Sequence, residues 1–97
     1  SEENVKALAK RDREVRAHED AHLSAAGDLA QSGANFEYTK GPDGRQYATR
    51  GEVSINATKA NTPEETIIKA QRIRAAALAP AVATRGRGAS RKSATEN

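Results

Sequence analysis

The sequence predicts an α+β domain over residues 1–80, followed by a disordered basic tail over residues 81–97. Three observations support this fold class. Apolar residues recur at helical spacing near the N-terminus and again after Pro63. Between these two stretches, a turn signature separates two segments whose side chains alternate. After Pro80, one valine is the largest apolar side chain, so the tail cannot bury enough surface to offset its ordering entropy.

Residues 2–31 are predicted to form one long helix. Ser1, followed by Glu2 and Glu3, suits a helix start, and Gly33 suits a stop. Asp12 and Glu19 interrupt its apolar face as polar residues. The face itself consists of Val5, Leu8, Val15, His22, Ala26 and Leu29.

A β-hairpin is predicted next, because the residues around Phe36 and Tyr38 alternate in polarity. Gly41-Pro42-Asp43-Gly44 is a strong turn signal, and residues 45–50 form the return strand. Residues 52–56 are predicted to form a third short strand after Gly51.

The second helix has a clear start signal. Thr62 is the expected N-cap, Pro63 occupies the first helical position and Glu65 completes a capping box. We expect this helix to pack against the first one and to end at Pro80. Its apolar stripe is Ile67, Ala70, Ile73 and Ala77.

Composition excludes several classes of site. The 97-residue chain has no cysteine, which excludes disulfides, thiolate metal sites and cysteine nucleophiles. It has no apolar run of membrane-spanning length. It also lacks methionine, so we expect a processed form or an excised fragment. The net charge of +3 resides in residues 81–97, where four basic side chains stand against one acidic one. Because this segment has no aromatic side chains for base stacking, specific nucleic-acid binding is not expected.

The chemistry-bearing motif is His18-Glu19-Asp20-Ala21-His22, an H-E-x-x-H pattern within the first helix. Residues four apart on a helix lie one turn above each other, so both imidazoles can reach one zinc ion. The intervening glutamate can hold a metal-bound water as a general base. The alternative interpretation is an ordinary helix with two exposed histidines.

A catalytic zinc needs a third protein ligand and an open position. Without another histidine or a cysteine, this ligand must be a carboxylate. We predict Glu52, since Gly51 before it would let the backbone approach the first helix. Strict strand alternation would point Glu52 away from the helix, and a bulge at Gly51 would turn it back. If the strand is regular, Glu64 or Glu65 becomes the better candidate. Three further carboxylates are weaker candidates: Asp28, Glu37 and Asp43.

Other polar residues have two interpretations each. Tyr38 and Tyr47 can supply hairpin packing, or one of them can donate to a developing oxyanion, for which Tyr47 is the better catalytic candidate. Arg50 could also donate to the developing oxyanion, although a surface ion pair is its simpler role. Asp12 and Asp20 are candidates for groups that support the metal ligands from behind, and each imidazole is expected to have an orienting partner that the sequence does not identify.

Three blocks of the sequence resemble the bacterial SprA-related family of proposed metalloproteases. They are residues 9–22 with the H-E-x-x-H motif, residues 38–55 with Tyr-Thr-Lys-Gly-Pro-Asp-Gly and Gly-Glu-Val-Ser-Ile, and residues 65–80 ending in Ala-Leu-Ala-Pro. The resemblance covers about residues 5–80. It implies a zincin-like protein with His18 and His22 as zinc ligands and Glu19 as the base. The family often has Gly-Gly before the glutamate and Asp after the isoleucine, where this chain has Arg50-Gly51 and Asn56.

These observations predict a zinc metallopeptidase that acts on a peptide or protein. Its metal ligands would be His18, His22 and Glu52, and its catalytic residues Glu19 and Tyr47. The first alternative is a metal-stabilised interaction module without catalysis. The second is a nucleic-acid-binding protein that depends on the basic tail.

Overall fold

The computed structural model describes the backbone of residues 1–96 and the side chains of residues 1–83. It contains helix α1 (Glu2–Ala26), a 3₁₀ turn (Gly27–Leu29), strands β1 (Asn35–Lys40) and β2 (Gln46–Glu52), and helix α2 (Pro63–Glu96). The predicted α+β class is confirmed. Among these residues, no helix combines the length and apolar character that crossing a membrane requires.

Helix α1 begins with a side-chain cap, because Ser1 Oγ accepts a hydrogen bond from the amide of Asn4 at 3.3 Å. It ends at Ala26, before the predicted residue 31, since Gly27 adopts a positive φ of 54°. After the 3₁₀ turn, the chain meets the segment that follows β2. The amide of Asn56 donates to the carbonyl of Leu29 at 2.8 Å.

Strands β1 and β2 form the predicted antiparallel hairpin. Gly44 occupies a positive φ of 82° in the predicted turn. The register pairs Glu37 with Arg50 but Tyr38 with Ala48, so Thr49 is an extra residue in β2. The bulge therefore lies at Thr49 rather than at Gly51.

The predicted third strand over residues 52–56 is wrong as a separate element. Glu52 is the last residue of β2, and only Ile55 pairs further, in an isolated bridge with Ala30. Ile55 instead packs against a small apolar cluster that joins the two helices. Its buried members are Ala26, Leu29 and Ala76, with Ala30, Ile55 and Ile73 half-buried around them.

Helix α1 is the element shared by both halves of the fold, because it packs against β2 and against α2. The molecule measures 56 × 42 × 12 Å, which is about the thickness of one helix. Side chains in a single layer have few neighbours above or below them. As a result, no large side chain of the described residues is fully buried.

Helix α2 begins as predicted, with Thr62 Oγ1 accepting from the amide of Glu65 at 3.1 Å. Its end is not where the sequence placed it. Pro80 is buried inside the helix, which continues to Glu96. The sequence predicted a disordered tail over residues 81–97, whereas the structure describes the backbone of residues 81–96 as a continuation of α2. The side chains of residues 84–97 lie outside the described part.

Candidate metal and catalytic site

His18 and His22 lie together on α1. Their ring centroids are 4.9 Å apart, and the ring planes make an angle of 76°. Two imidazoles that bind one tetrahedral zinc at the usual Zn–N distance of about 2.1 Å place their centroids about 5 Å apart. The distance between the two rings therefore matches the distance between two zinc-bound imidazoles.

His22 is held by helix α2. Its Nδ1 lies 2.8 Å from the carbonyl oxygen of Ala76. A carbonyl can only accept a hydrogen bond, so Nδ1 carries the hydrogen and Nε2 keeps the lone pair in the neutral ring. Metal-binding histidines in proteins are commonly fixed by such a second contact.

Glu19, between the two histidines, is the one buried charged residue among the described side chains, with 4% of its surface exposed. It faces strand β2. A Cβ built on Gly51 would lie 2.8 Å from Glu19 Cγ and 3.1 Å from Glu19 Oε2. The predicted close approach of Gly51 to the first helix is confirmed, and the residue it meets is the glutamate of the motif.

Within the described part of the chain, Glu19 makes no hydrogen bond and no ion pair. No fully buried side-chain nitrogen or oxygen there lacks a hydrogen-bond partner, so the carboxylate of Glu19 reaches solvent. A buried glutamate is normally paired. This one is enclosed by the fold, reaches water and has no hydrogen-bond or ion-pair partner among the described residues.

Asp12 fastens β2 to α1. Its Oδ2 accepts from the amide of Ala48 at 2.7 Å, and its Oδ1 accepts from Arg16 Nε at 2.9 Å. The Ala48 amide and, next, the Arg16 guanidinium hold the pKa of Asp12 below its usual value. Arg16 in turn lies 5.1 Å from the centre of the Phe36 ring.

Neither of the two aspartates named as possible supporting groups of the site contacts an imidazole in this structure. Asp12 contacts Ala48 and Arg16 rather than a histidine, and Asp20 is exposed. Asp12 acts instead on the position of β2. The same strand carries Gly51, so the contact of Asp12 with Ala48 also helps to position Gly51 over Glu19.

A third metal ligand is not gathered around the histidines. The described residues contain no group of three or more histidine, aspartate or glutamate side chains that could hold an ion. Glu52 is exposed, and Gly51 faces Glu19, so regular alternation turns Glu52 to the opposite side of β2. Glu64 and Glu65 lie in the first turn of α2, at least 11 residues or about 16 Å along the helix from Ala76.

The three weaker carboxylate candidates have partners elsewhere. Asp28 pairs with Arg72, which lowers the pKa of that carboxyl, and Arg72 also donates to the carbonyl of Ala26. Glu37 lies 3.8 Å from Arg50 Nε, which gives Arg50 the surface ion pair expected for it. Asp43 accepts a hydrogen bond from the hydroxyl of Tyr47.

Tyr47 lies at the turn of the hairpin. A Cβ on Gly41 would be 2.9 Å from its ring and 3.2 Å from Leu8, so both side chains lie next to Gly41. Leu8 is ten residues, or about 15 Å along α1, from His18. The bond to Asp43 raises the pKa of the Tyr47 hydroxyl and lowers the pKa of Asp43. The structure therefore brings Tyr47 to Asp43 and Leu8, and not to the histidines.

Two features of the site were missed at the level of sequence. One is the carbonyl of Ala76, since a backbone group carries no side-chain signal. The other is the partner of Asp12. The sequence did contain a sign that Asp12 has a partner. Asp12 and Glu19 interrupt the apolar face of α1 two turns apart, which indicates that both are directed at another element. Both residues face β2 in the structure.

Comparison with curated proteins and with solved structures finds no match. A sequence profile of the SprA-related family matches residues 1–86. The matched region contains α1, the hairpin and α2 past Pro80, and so all the residues of the candidate site. The chain belongs to the SprA-related family.

Proposed function

We propose that this protein is a zinc-dependent peptidase. The observation that carries the proposal is Glu19. A glutamate that is 96% enclosed, without a partner among the described residues, lies between two histidines whose spacing fits zinc. A buried carboxylate without a partner destabilises a fold, whereas a general base needs an oxygen that is free to accept a proton from water.

His18 and His22 would hold the zinc, with Glu52 as the proposed third ligand. When bound, zinc would polarise the scissile carbonyl and lower the pKa of a water molecule. Glu52 is the last residue of β2, and the next backbone pairing along the chain is the bridge of Ile55 with Ala30. Glu52 also directly follows the glycine that touches Glu19. Its recruitment requires the side chain to turn toward α1.

Glu19 would take the proton from the attacking water and then deliver it to the leaving amine. Enclosure by Gly51 limits the positions available to the carboxylate. Contact with solvent lets water reach it. The hydrogen bond from His22 to the carbonyl of Ala76 would hold the second imidazole in place during both proton transfers. A backbone carbonyl neither gains nor loses a proton, so this bond does not change during the reaction.

The substrate we propose is an extended peptide that adds to the hairpin. The outer edge of β2 is partly used by α1, since the Ala48 amide donates to Asp12 and the Thr49 carbonyl accepts from Arg11 at 3.2 Å. Strand β1 pairs with β2 on one side only, within the part of the chain that the structure describes. Its other edge offers backbone groups to a peptide, and its Phe36 pairs with Gly51 beside Glu19.

One observation favours a second candidate, a metal-stabilised interaction module. The molecule is one layer thick, and no large side chain of its described part is fully buried. Folds with so little core often depend on a metal for stability. In that case the zinc would be structural, and Glu19 would have no chemical task.

The deciding experiment compares three proteins: wild type, His22→Ala and Glu19→Gln. Zinc stoichiometry is measured after chelation and resupply, and cleavage is measured on fluorescently labelled casein. We expect one zinc per chain, lost in His22→Ala, and cleavage that is lost in Glu19→Gln while zinc remains. Glu14→Gln is the matched control, because Glu14 is an exposed glutamate on the same helix.

Two outcomes would contradict the proposal. If wild type binds no zinc at micromolar supply, the H-E-x-x-H pattern has no metal and the peptidase is abandoned. If zinc binds, stabilises the fold and is unaffected by Glu19→Gln, while no cleavage occurs in any variant, the interaction module is favoured.

A further inference from the structure

Pro80 lies inside helix α2, four residues after Ala76. In an α-helix, the amide of each residue donates to the carbonyl four residues earlier. Proline has no amide hydrogen, so it leaves that carbonyl without its helical donor, and its ring also crowds the same oxygen. In this chain the carbonyl released in this way belongs to Ala76.

The carbonyl of Ala76 is the group that binds His22. Its oxygen lies 2.8 Å from His22 Nδ1, and Ala76 itself is completely buried. A buried carbonyl that has lost its helical donor carries a cost unless another donor replaces it. The imidazole supplies that donor, so the proline and the histidine are connected through one oxygen atom.

We propose that Pro80 is a positioning residue for His22. By withholding an amide hydrogen from Ala76, it reserves that carbonyl for the imidazole and fixes the ring as the Nδ1–H tautomer. Nε2 then faces away from α2 with its lone pair available. The tautomer follows from α1 and α2 alone; only its use as a zinc ligand rests on the proposed function.

The interior position of Pro80 is otherwise unfavourable. A proline within a helix destabilises it strongly relative to an ordinary residue. An alanine at position 80 would restore a helical hydrogen bond and would be expected to strengthen α2. The contact with His22 gives a reason why the helix carries a proline at this position.

The test is Pro80→Ala, read by ¹⁵N NMR of the His22 ring in the metal-free protein at a pH where the imidazole is neutral. Wild type should show Nδ1 protonated and Nε2 unprotonated. In Pro80→Ala, the new amide competes for the carbonyl of Ala76, and we expect the ring to become a mixture of both tautomers. If His22 remains wholly in the Nδ1–H form, the proposal is overturned.

Two further variants separate the missing amide hydrogen from other effects of proline. Pro63→Ala is the matched control, because Pro63 occupies the first helical position, where its missing amide has no helical acceptor. Its His22 tautomer should equal that of wild type. An α-hydroxy acid in place of Pro80 has an ester oxygen, and so it has neither the proline ring nor an N–H. We expect His22 in this variant to stay in the Nδ1–H form. A mixture of tautomers in this ester variant would show that the ring, and not the missing hydrogen, acts on His22.

Zinc affinity provides the second readout. Loss of a group that orients a metal-bound histidine typically weakens binding about 10- to 100-fold. We expect Pro80→Ala to lie near the lower end of this range and Pro63→Ala to match wild type. A tautomer change in Pro80→Ala with no zinc binding by any variant would confirm the positioning of His22 and refute the zinc site.

Discussion

Glu19 lies directly against the backbone of Gly51. A Cβ on Gly51 would stand 2.8 Å from Glu19 Cγ, closer than two carbons of separate residues approach, and 2.9 Å from the ring of Phe36. The glycine is therefore required by the close approach of strand to helix. It places the end of the hairpin over the one buried carboxylate of the described residues.

Replacement of Gly51 by alanine tests this contact. The added methyl group must displace either Glu19 or Phe36, because both lie too near to accommodate it. We expect a loss of about 1–3 kcal/mol in the free energy of unfolding, as for other overpacked sites. Urea denaturation measures it, and cleavage of casein should fall as well, because Glu19 would be moved.

Gly33→Ala is the control for that variant. Gly33 has open space around it, with no atom within 4 Å of a Cβ placed there. Its unfolding free energy should change by no more than about 0.5 kcal/mol. Equal effects at positions 33 and 51 would mean that glycine flexibility, and not the contact with Glu19, determines the result.

Asp12 predicts a pH dependence of stability. Its pKa is lower in the folded chain than in the unfolded chain, first because of the Ala48 amide and then because of Arg16. Such a group stabilises the fold above its unfolded pKa, and this contribution disappears as the pH falls through the folded pKa. We expect Asp12→Asn to cost about 1 kcal/mol at pH 7.

The measurement is a set of urea melts of wild type and Asp12→Asn between pH 7 and pH 2. The difference between the two proteins should shrink as the pH falls below about 4. Asp20→Asn is the control, since Asp20 is exposed on the same helix. A difference that stays constant with pH would show that the charge of Asp12 does not carry the effect.

Tyr47→Phe separates a structural role from a catalytic one. The hydroxyl donates to Asp43 in the hairpin turn, distant from the histidines. We therefore expect a small loss of thermal stability, with zinc affinity and kcat unchanged. A large fall in kcat with intact zinc binding would instead support the oxyanion role that the sequence allowed for this tyrosine.

Glu52→Gln tests the proposed third zinc ligand. Loss of a direct ligand should weaken zinc binding more than the roughly 10- to 100-fold caused by losing a group that only orients a ligand. Zinc titration of the apo-protein measures this. Glu64→Gln and Glu65→Gln should bind zinc as wild type does. If either of them weakens binding and Glu52→Gln does not, the ligand lies on α2.

The elements that the sequence placed correctly are those with local signals. Gly44 takes the positive φ that its turn requires, and Thr62 caps α2 as the capping pattern predicts. The spacing of His18 and His22 also depends on one helix alone. In each of these cases the deciding interaction spans four residues or fewer.

The incorrect predictions concern features that depend on contacts between segments far apart in the sequence. Pro80 looked like a helix end because proline is locally unfavourable in a helix, but α2 continues past it, and the carbonyl of Ala76 four residues earlier contacts His22, 58 positions before Pro80. The third strand was lost because Ile55 packs into the cluster at the end of α1 instead of continuing a ladder. The bulge at Thr49 lies next to the Ala48 amide that donates to Asp12, and no pattern within β2 reveals this contact with α1.

The bond between His22 and Ala76 has a consequence for biosynthesis. The two residues are 54 positions apart, and protein chains are made from the N-terminus. A nascent chain already carries the whole H-E-x-x-H motif long before the carbonyl that orients it has been synthesised. The site can therefore be completed only when α2 has docked on α1, so a growing or truncated chain that ends before Ala76 has both histidines but no fixed ring.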